Sequence, residues 1–166
     1  MLGLDVSGSM TWSNIAGLRI TPREASACMA MVQARIEREY LITGFSHRME
    51  QINITRNTRL ADAIREIESI PMGGTNLSLP METALAQKLP VDAFVIYTDN
   101  EVNRGGRHVF QALDAYRRGM RKPDAKLVVV GMTATRFSVA DPKDPGMLDI
   151  AGFDTAAPGL MAEFVR

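Results

Sequence analysis

The segment Leu2-Gly3-Leu4-Asp5-Val6-Ser7-Gly8-Ser9 contains the pattern that decides the fold. Its first half is a short apolar run, which is typical of a buried strand, and its second half is a polar turn of small residues. Asp5, Ser7 and Ser9 occupy alternate positions, and an extended segment directs alternate side chains to the same side. The three oxygen-bearing side chains can therefore face one point just beyond the end of a strand.

Apolar segments further along the chain indicate more strands. Ala93–Thr98 and Lys126–Met132 are too continuously apolar to face water on one side, as in the strands of a parallel sheet. Leu2–Val6 is predicted to be the first strand, and weaker patterns predict Tyr40–Phe45 and Phe137–Ala140. Met49–Thr55 is predicted to form a hairpin with the strand before it, because only a few residues connect the two.

Helical segments separate these strands. Amphipathic spacing predicts helices over Pro22–Glu39, Leu60–Ile70, Leu77–Lys88 and Val109–Met120, with a closing helix from about Ala157. Strands that alternate with helices predict an α/β fold, a doubly wound and mostly parallel sheet with helices on both faces. A first strand that starts at residue 2 and is central in the sheet suggests a single domain, residues 1–166, that is part of a longer protein.

The first helix carries clear local signals. Thr21 is predicted to cap it, and Pro22 suits its first position. Spacings of three and four residues predict one apolar face, on which the single cysteine of the chain is expected to be buried. That face consists of Ala25, Cys28, Met29, Val32 and Ile36.

Composition excludes several classes of protein. Apolar residues make up 46% of the 166 and charged residues 23%, as in ordinary globular domains, which excludes a disordered chain or a coiled coil. Nineteen basic residues balance nineteen acidic ones, so no global positive field favours nucleic acid. One cysteine excludes a disulfide framework, and no apolar run reaches the length of a membrane span. We therefore expect a cytoplasmic protein without membrane contact.

Two other polar loops can contribute side chains to the same site as the first loop. Thr75 lies in Gly73-Gly74-Thr75-Asn76, and Asp99 follows the predicted strand that ends at Thr98. In open α/β sheets, ligands bind beyond the carboxyl ends of the strands at the topological switch point. Two carboxylates and three hydroxyls are oxygen ligands that suit Mg²⁺ or Mn²⁺. If the hydroxyls are the direct ligands and the carboxylates act partly through water, the charge of the ion is only weakly neutralised. A vacant position would then attract an anionic oxygen of a partner, such as a carboxylate or a phosphate.

The combined motif resembles a known family. Asp5-x-Ser7-x-Ser9, Thr75 and Asp99 match the metal-ion-dependent adhesion site of von Willebrand factor type A domains. The resemblance implies a Mg²⁺ site in which Asp5 and Asp99 offer carboxylates and the other three offer hydroxyls. It also implies a doubly wound sheet in which Met49–Thr55 is a short antiparallel edge strand.

A narrower resemblance covers nearly the whole chain. The loop that begins at Gly73-Gly74-Thr75-Asn76, and the tail motifs, are similar to those of the Ro autoantigen family, which carries the TROVE module. Those tail motifs are Gly131-Met132-Thr133, Val139-Ala140-Asp141-Pro142, Gly146-Met147-Leu148-Asp149 and Gly152-Phe153-Asp154-Thr155. The resemblance implies a type A domain of an RNA quality-control ribonucleoprotein that binds non-coding Y RNA and misfolded RNA, with an exoribonuclease as a further partner. The ring of helical repeats that carries most of the family's RNA-binding surface is absent from these residues.

A local basic cluster offers a second hypothesis. Residues 101–122 contain six cations against two acids, with a histidine beside them. These residues could contact phosphates, or they could form an ordinary solvated helix face. The cluster consists of Arg104, Arg107, His108, Arg117, Arg118, Arg121 and Lys122.

Enzymatic function is the third hypothesis, and we expect no catalysis. Ser7 and Ser9 have no histidine tied to their loop, so neither is set up as a nucleophile. A magnesium phosphohydrolase would place a second Asp at position 7, where this chain has Ser. The sequence therefore predicts a cation-dependent binding domain, whose ion bridges to a carboxylate of a protein partner.

Overall fold

The computed structural model describes residues 1–99, 107–133 and 138–166, and within them six strands form one sheet. The strands are β1 (Leu2–Asp5), β2 (Ile42–Phe45), β3 (Met49–Gln51), β4 (Ala93–Thr98), β5 (Lys126–Gly131) and β6 (Met147–Ala151). Their order is β3-β2-β1-β4-β5-β6, and every pair is parallel except β2 with β3. β1 therefore lies inside the sheet, and β3 is an antiparallel edge strand.

Helices cover both faces of the sheet. They are α1 (Pro22–Ile36), α2 (Leu60–Glu68), α3 (Leu79–Ala86), α4 (Val109–Met120) and α5 (Ala157–Val165), with a short 3₁₀ helix at Gly8–Thr11. Because side chains alternate along a strand, Val95 and Tyr97 of β4 pack into the core under α1, α2 and α5. Phe94 and Ile96 pack into the core under α3 and α4. The doubly wound α/β architecture is confirmed.

Most predicted elements are present, and their ends differ by a few residues. β4 and α4 have the predicted bounds, and α5 begins at Ala157 as expected. α1 ends three residues earlier than predicted, where Glu37 turns to extended backbone. The predicted strand Met49–Thr55 pairs only as far as Gln51. Helix ends and short edge strands depend on few hydrogen bonds, so sequence locates them least well.

The start of α1 is confirmed in detail. Thr21 donates its backbone N–H to Glu24 Oε2 at 2.7 Å, and its Oγ1 accepts the N–H of Glu24 at 3.2 Å. These two bonds satisfy donors that a helix end otherwise leaves without partners. Pro22 occupies the first turn, where a missing N–H costs nothing.

The prediction of which side of α1 is buried is wrong for three of its five residues. Cys28 and Val32 are only half-buried, and Ile36 is 48% exposed. Ser26 and Gln33 are buried instead. α1 packs against the sheet, α2 and α5 at once, so three of its sides are covered and the stripe through Cys28 faces outward. Periodicity alone assumes a single buried face.

The position of the last strand also differs from the prediction. Phe137 lies outside the described residues, and Ser138 to Ala140 do not form a strand. The sixth strand is Met147–Ala151, which pairs in parallel with β5. Asp149 in its middle interrupts the apolar pattern, and its carboxylate accepts the backbone N–H groups of Val139 and Ala140 at 2.9 and 3.0 Å.

None of the helices in the described part of the chain is long and apolar enough to cross a membrane.

Candidate metal centre

The candidate centre lies where β1 and β4 end side by side. Leu4 pairs with Tyr97, so the residues that follow each strand emerge at the same edge. The chain leaves β1 toward β2 on one side and continues from β4 toward β5 on the other. This reversal is a topological switch point, where open α/β sheets bind ligands.

Asp5 is the buried end of the centre, with no exposed surface. Its Oδ1 accepts the backbone N–H of Ser7 at 2.8 Å, and its Oδ2 accepts the Thr98 hydroxyl at 2.7 Å. Burial raises the pKa of Asp5 to about 6, while the bonds from Thr98 and Ser7 act in the opposite direction. The charge of Asp99 also raises this pKa. The fold therefore holds a carboxylate where its negative charge is costly and where a cation would relieve the cost.

Two serines connect Asp5 to the surface. Ser7 Oγ and Ser9 Oγ lie 3.2 Å apart, and the Ser9 hydroxyl donates to Asp99 Oδ1 at 3.0 Å. Burial also raises the pKa of the half-buried Asp99, which the hydrogen bond from Ser9 counteracts. Hydrogen bonds thus link the four residues from the core outward, and the Ser7 N–H connects Asp5 to the two serines.

Thr75, the fifth proposed ligand, is buried in the loop before α3. Two residues earlier, Gly73 lies directly against β2: a Cβ at this position would be 2.8 Å from Ser46 Oγ and would overlap the ring of His47. A side chain at position 73 would therefore require the loop or the side chains of Ser46 and His47 to shift. The side chain of Asn76 accepts the N–H and hydroxyl of Ser78 at 3.2 and 2.7 Å, which shapes the following turn. His47 is exposed at the end of β2, as expected for a turn residue.

Two residues that support the centre are missed by the sequence analysis. Thr98 holds the Asp5 carboxylate, although its own sequence pattern indicates only a buried strand. Arg23 is buried in the first turn of α1 and donates from one guanidinium nitrogen to the carbonyls of Ile67 and Ile70. These carbonyls end α2 just before the loop of Thr75. No local pattern indicates such a bond, because the partners are more than forty residues apart along the chain.

The predicted basic cluster is divided between the two ends of α4. Arg107 and His108 are exposed just before the helix, at the edge of the candidate centre, and the His108 ring lies 4.4 Å from that of Phe110. Arg104 lies outside the described residues. The other four members follow at the opposite end of a helix of twelve residues, about 18 Å away.

At that far end, three of the four cations have acidic partners. Arg117 forms an ion pair with Asp144 and donates to the carbonyl of Ala125 at 2.8 Å. Arg118 pairs with Asp114 on the same helix, and Lys122 pairs with Asp92. Arg121 is exposed, in the left-handed conformation that ends α4. The structure therefore does not bring the predicted cluster together as one phosphate-binding surface.

The oxygen atoms of the centre fit a hard divalent cation. Two carboxylates and the hydroxyls beside them are the donor types that Mg²⁺ and Mn²⁺ prefer, and Asp5 carries a negative charge that burial disfavours. The same line of residues gives Zn²⁺ no sulfur or imidazole ligand.

The fold and the centre together define the class of the protein. A family model described as the Ro60 vWA domain matches residues 1–165, so the chain is a von Willebrand factor type A domain. The conserved hypothetical protein BatB from Bacteroides thetaiotaomicron is similar with a TM-score of 0.64 over 99% of this chain and 95% of that one. At 15% identity that likeness concerns the fold alone.

Within that class, the chain belongs to the Ro60 vWA domain family. A Deinococcus radiodurans protein named RNA-binding protein RO60 is 44% identical to it over the whole of this chain. The match covers 31% of that relative. A Caenorhabditis elegans protein of the same name is 38% identical over 99% of this chain and 25% of the relative. The crystal structure of the Deinococcus radiodurans RO (RSR) protein superposes with a TM-score of 0.89 over 99% of this chain and 33% of that one. The chain thus spans only a quarter to a third of these relatives.

Proposed function

We propose that this domain binds an acidic group of a macromolecular partner through a divalent cation, Mg²⁺ or Mn²⁺. The observation that carries the proposal is the line of oxygen atoms from buried Asp5 through Ser7 and Ser9 to Asp99 at the switch point of the sheet. The family of the chain and the names of its relatives, each called an RNA-binding protein, supply the context.

Five side chains would hold the ion: Asp5, Ser7, Ser9, Thr75 and Asp99. Bound Mg²⁺ would supply Lewis acidity, and its preference for six oxygen ligands leaves room for a partner's oxygen. The two carboxylates provide negative charge, and the serine and threonine hydroxyls provide neutral oxygen atoms. Thr98 and the N–H of Ser7 orient the Asp5 carboxylate by bonding one oxygen each.

The preferred acidic group is a carboxylate of a protein partner. With the three hydroxyls as direct ligands and the carboxylates acting partly through water, the charge of the ion is only weakly neutralised, which favours an anionic ligand from the partner. In a longer Ro-family protein we propose non-coding Y RNA and misfolded RNA as RNA partners and an exoribonuclease as a protein partner. The support for RNA is the name shared by both relatives.

The proposal describes a binding domain without catalysis. Its relatives are named as RNA-binding proteins, and Ser occupies position 7, where a magnesium phosphohydrolase would place a second carboxylate. A Mg²⁺-dependent release of phosphate from model esters by this chain, lost in Asp5→Ala, would contradict this part of the proposal.

Thermal unfolding during a Mg²⁺ or Mn²⁺ titration tests the metal site. A ligand that binds only the folded state stabilises it by about 2.7 kcal/mol at one hundred times its dissociation constant. The wild type should therefore melt at higher temperature as metal is added, and Asp99→Ala should not. Asp124→Ala, which removes an exposed carboxylate at the start of β5, is the matched control and should respond like the wild type. Equal metal responses in Asp99→Ala and the wild type would refute the assignment.

A further inference from the structure

An exposed indole ring borders the candidate centre. Trp12 is the only tryptophan of the chain, and 82% of its surface is exposed. It follows the short 3₁₀ helix, and its backbone N–H donates to the carbonyl of Ser9 at 3.1 Å. Its ring lies over Gly8, where a Cβ would be 3.7 Å from the indole nitrogen. Because Gly8 separates Ser7 from Ser9, the ring lies beside two of the proposed metal ligands.

Other large apolar side chains are exposed at the same edge of the sheet. Met72 is 59% exposed in the loop that carries Thr75, and Phe110 is exposed at the start of α4. Single exposed apolar residues are normal on a protein surface. Here Trp12 and Met72 come from two of the segments that supply the proposed ligands, and Phe110 lies in the first turn of α4. We call Trp12, Met72 and Phe110 the apolar rim.

The chemistry of this edge favours a protein over a nucleic acid. Affinity for RNA depends on several cations that neutralise phosphates. Among the described members of the predicted basic cluster, Arg107 and His108 lie at this edge, whereas Arg117, Arg118 and Lys122 form ion pairs at the far end of α4. Large apolar side chains, tryptophan above all, instead contribute most to protein–protein contacts when a partner covers them.

We propose that the apolar rim selects a protein segment in which an acidic residue is flanked by large apolar side chains, with Trp12 as the main contact. The inference rests on the proposed function, because the acidic residue is the group that the metal site would take. The rim adds selectivity: the ion would accept any carboxylate, while Trp12 would favour one with apolar neighbours.

Synthetic peptides test this selectivity on the 166-residue chain in millimolar Mg²⁺. The first peptide is acetyl-Gly-Ser-Leu-Glu-Leu-Ser-Gly-amide, the second has Ala in place of both Leu, and the third has Gln in place of Glu. Fluorescence of the single tryptophan should shift to shorter wavelength as the first peptide covers the ring. Calorimetry measures the affinity of variants that lack the fluorophore.

The wild type should bind the Leu-flanked peptide about tenfold more tightly than the Ala-flanked one, which corresponds to ~1.4 kcal/mol. Trp12→Ala should bind the two Glu peptides equally, and Trp12→Phe should retain part of the preference. Leu60→Ala removes an exposed apolar side chain at the start of α2, away from the rim, and should keep the full preference. The Gln peptide, or EDTA, should abolish binding.

The outcomes separate the two proposals. Stabilisation by metal without any preference for the Leu-flanked peptide, or without peptide binding, would overturn the role of the rim and leave the metal site intact. No stabilisation by metal would overturn both. Metal-dependent binding of single-stranded oligouridylate that is tighter than that of both Glu peptides would show that the partner at this edge is a nucleic acid.

Discussion

The Thr98 hydroxyl donates a 2.7 Å hydrogen bond to Asp5 Oδ2 across the two central strands of the sheet. Both residues are fully buried, and they are ninety-three positions apart in the chain. The bond joins the ends of β1 and β4 and holds one carboxylate oxygen in place. The orientation of the most buried proposed ligand therefore depends on a residue that carries no metal-binding signal of its own.

Replacement of Thr98 by Val should weaken metal binding several-fold. Val keeps the shape of Thr but removes the donor, so the Asp5 carboxylate becomes harder to ionise and loses its orientation. We also expect a loss of about 1–3 kcal/mol in the free energy of unfolding, as for other buried acceptors left without a partner. Thr43→Val is the control, since its buried hydroxyl donates to the Leu2 carbonyl at 3.0 Å on the same sheet. It should lose stability without losing metal affinity; similar metal affinities in both variants would contradict the role of Thr98.

Asp5→Asn should stabilise the metal-free domain at neutral pH. The pKa of Asp5 is about 6 in the folded protein, above the ordinary value of 3.8. The folded state thus binds this proton more tightly than the unfolded state. The stability that the protonated Asp5 carboxyl contributes is fully present below about pH 4 and is lost as the pH rises through about 6. The loss is on the order of 3 kcal/mol, at 1.36 kcal/mol for each pKa unit.

Urea unfolding in EDTA at pH values between 4.5 and 7.5 measures this effect. The wild type should lose stability across this range relative to Asp5→Asn, which has no proton to release at that position. Added Mg²⁺ should restore the free energy of unfolding of the wild type at pH 7.5 and leave that of the variant unchanged. If the free energies of unfolding of the two proteins changed with pH in the same way, the burial of the Asp5 carboxylate would not destabilise the domain at neutral pH.

Gly73→Ala should impair metal binding, whereas Gly74→Ala should not. A Cβ at Gly73 would overlap the His47 ring and approach Ser46 Oγ, so the loop that carries Thr75 and these two side chains must move apart. A Cβ at Gly74 would meet no atom within 4 Å. Metal titrations followed by melting temperature compare these neighbours directly. The double variant Gly73→Ala with His47→Ala should recover part of the affinity, because the smaller side chain makes room for the loop.

Of the four cations at the end of α4, Arg117 should contribute most to the stability of the domain. Arg117→Ala should destabilise the domain by about 1–3 kcal/mol, because it leaves the Asp144 carboxylate and the Ala125 carbonyl without their partner. Arg118 is 75% exposed in its side chain, and Arg118→Ala should change stability by less than about 0.5 kcal/mol.

Fluorescence anisotropy with a labelled single-stranded RNA tests the other function of this cluster. The affinity of the chain should be the same in the wild type and in Arg118→Glu with Arg121→Glu, at both low and moderate salt. A strong salt dependence that the double variant weakens would support the phosphate-binding hypothesis instead.

Sequence patterns predict the central part of this fold well. β4 and α4 have their predicted bounds because a continuous apolar run and a helical period are strong local signals. The hydrogen-bonded line from Asp5 to Asp99 follows from alternate spacing within one loop and from the rule that parallel strands end at one edge. The metal itself stays a prediction.

Sequence patterns do not predict burial or strand pairing where the neighbours of a residue come from distant parts of the chain. Ile36 is apolar and in phase with the predicted face of α1, yet it is exposed because α2 and α5 cover other sides of that helix. Met147–Ala151 contains a central Asp and reads poorly as a strand, yet it pairs with β5. Its Asp149 is tolerated because the Val139 and Ala140 N–H groups supply donors.

The sequence by itself determined the class of fold and the residues that can offer oxygen atoms to a cation. Both depend on short-range order, which is the alternation of strands and helices and the spacing within a turn. Only the tertiary structure decided that Thr98 and Arg23 support the centre, that the basic cluster is divided, and that Trp12 stands exposed beside Gly8. The physical reason is that burial and hydrogen-bond partners depend on which distant segments pack together.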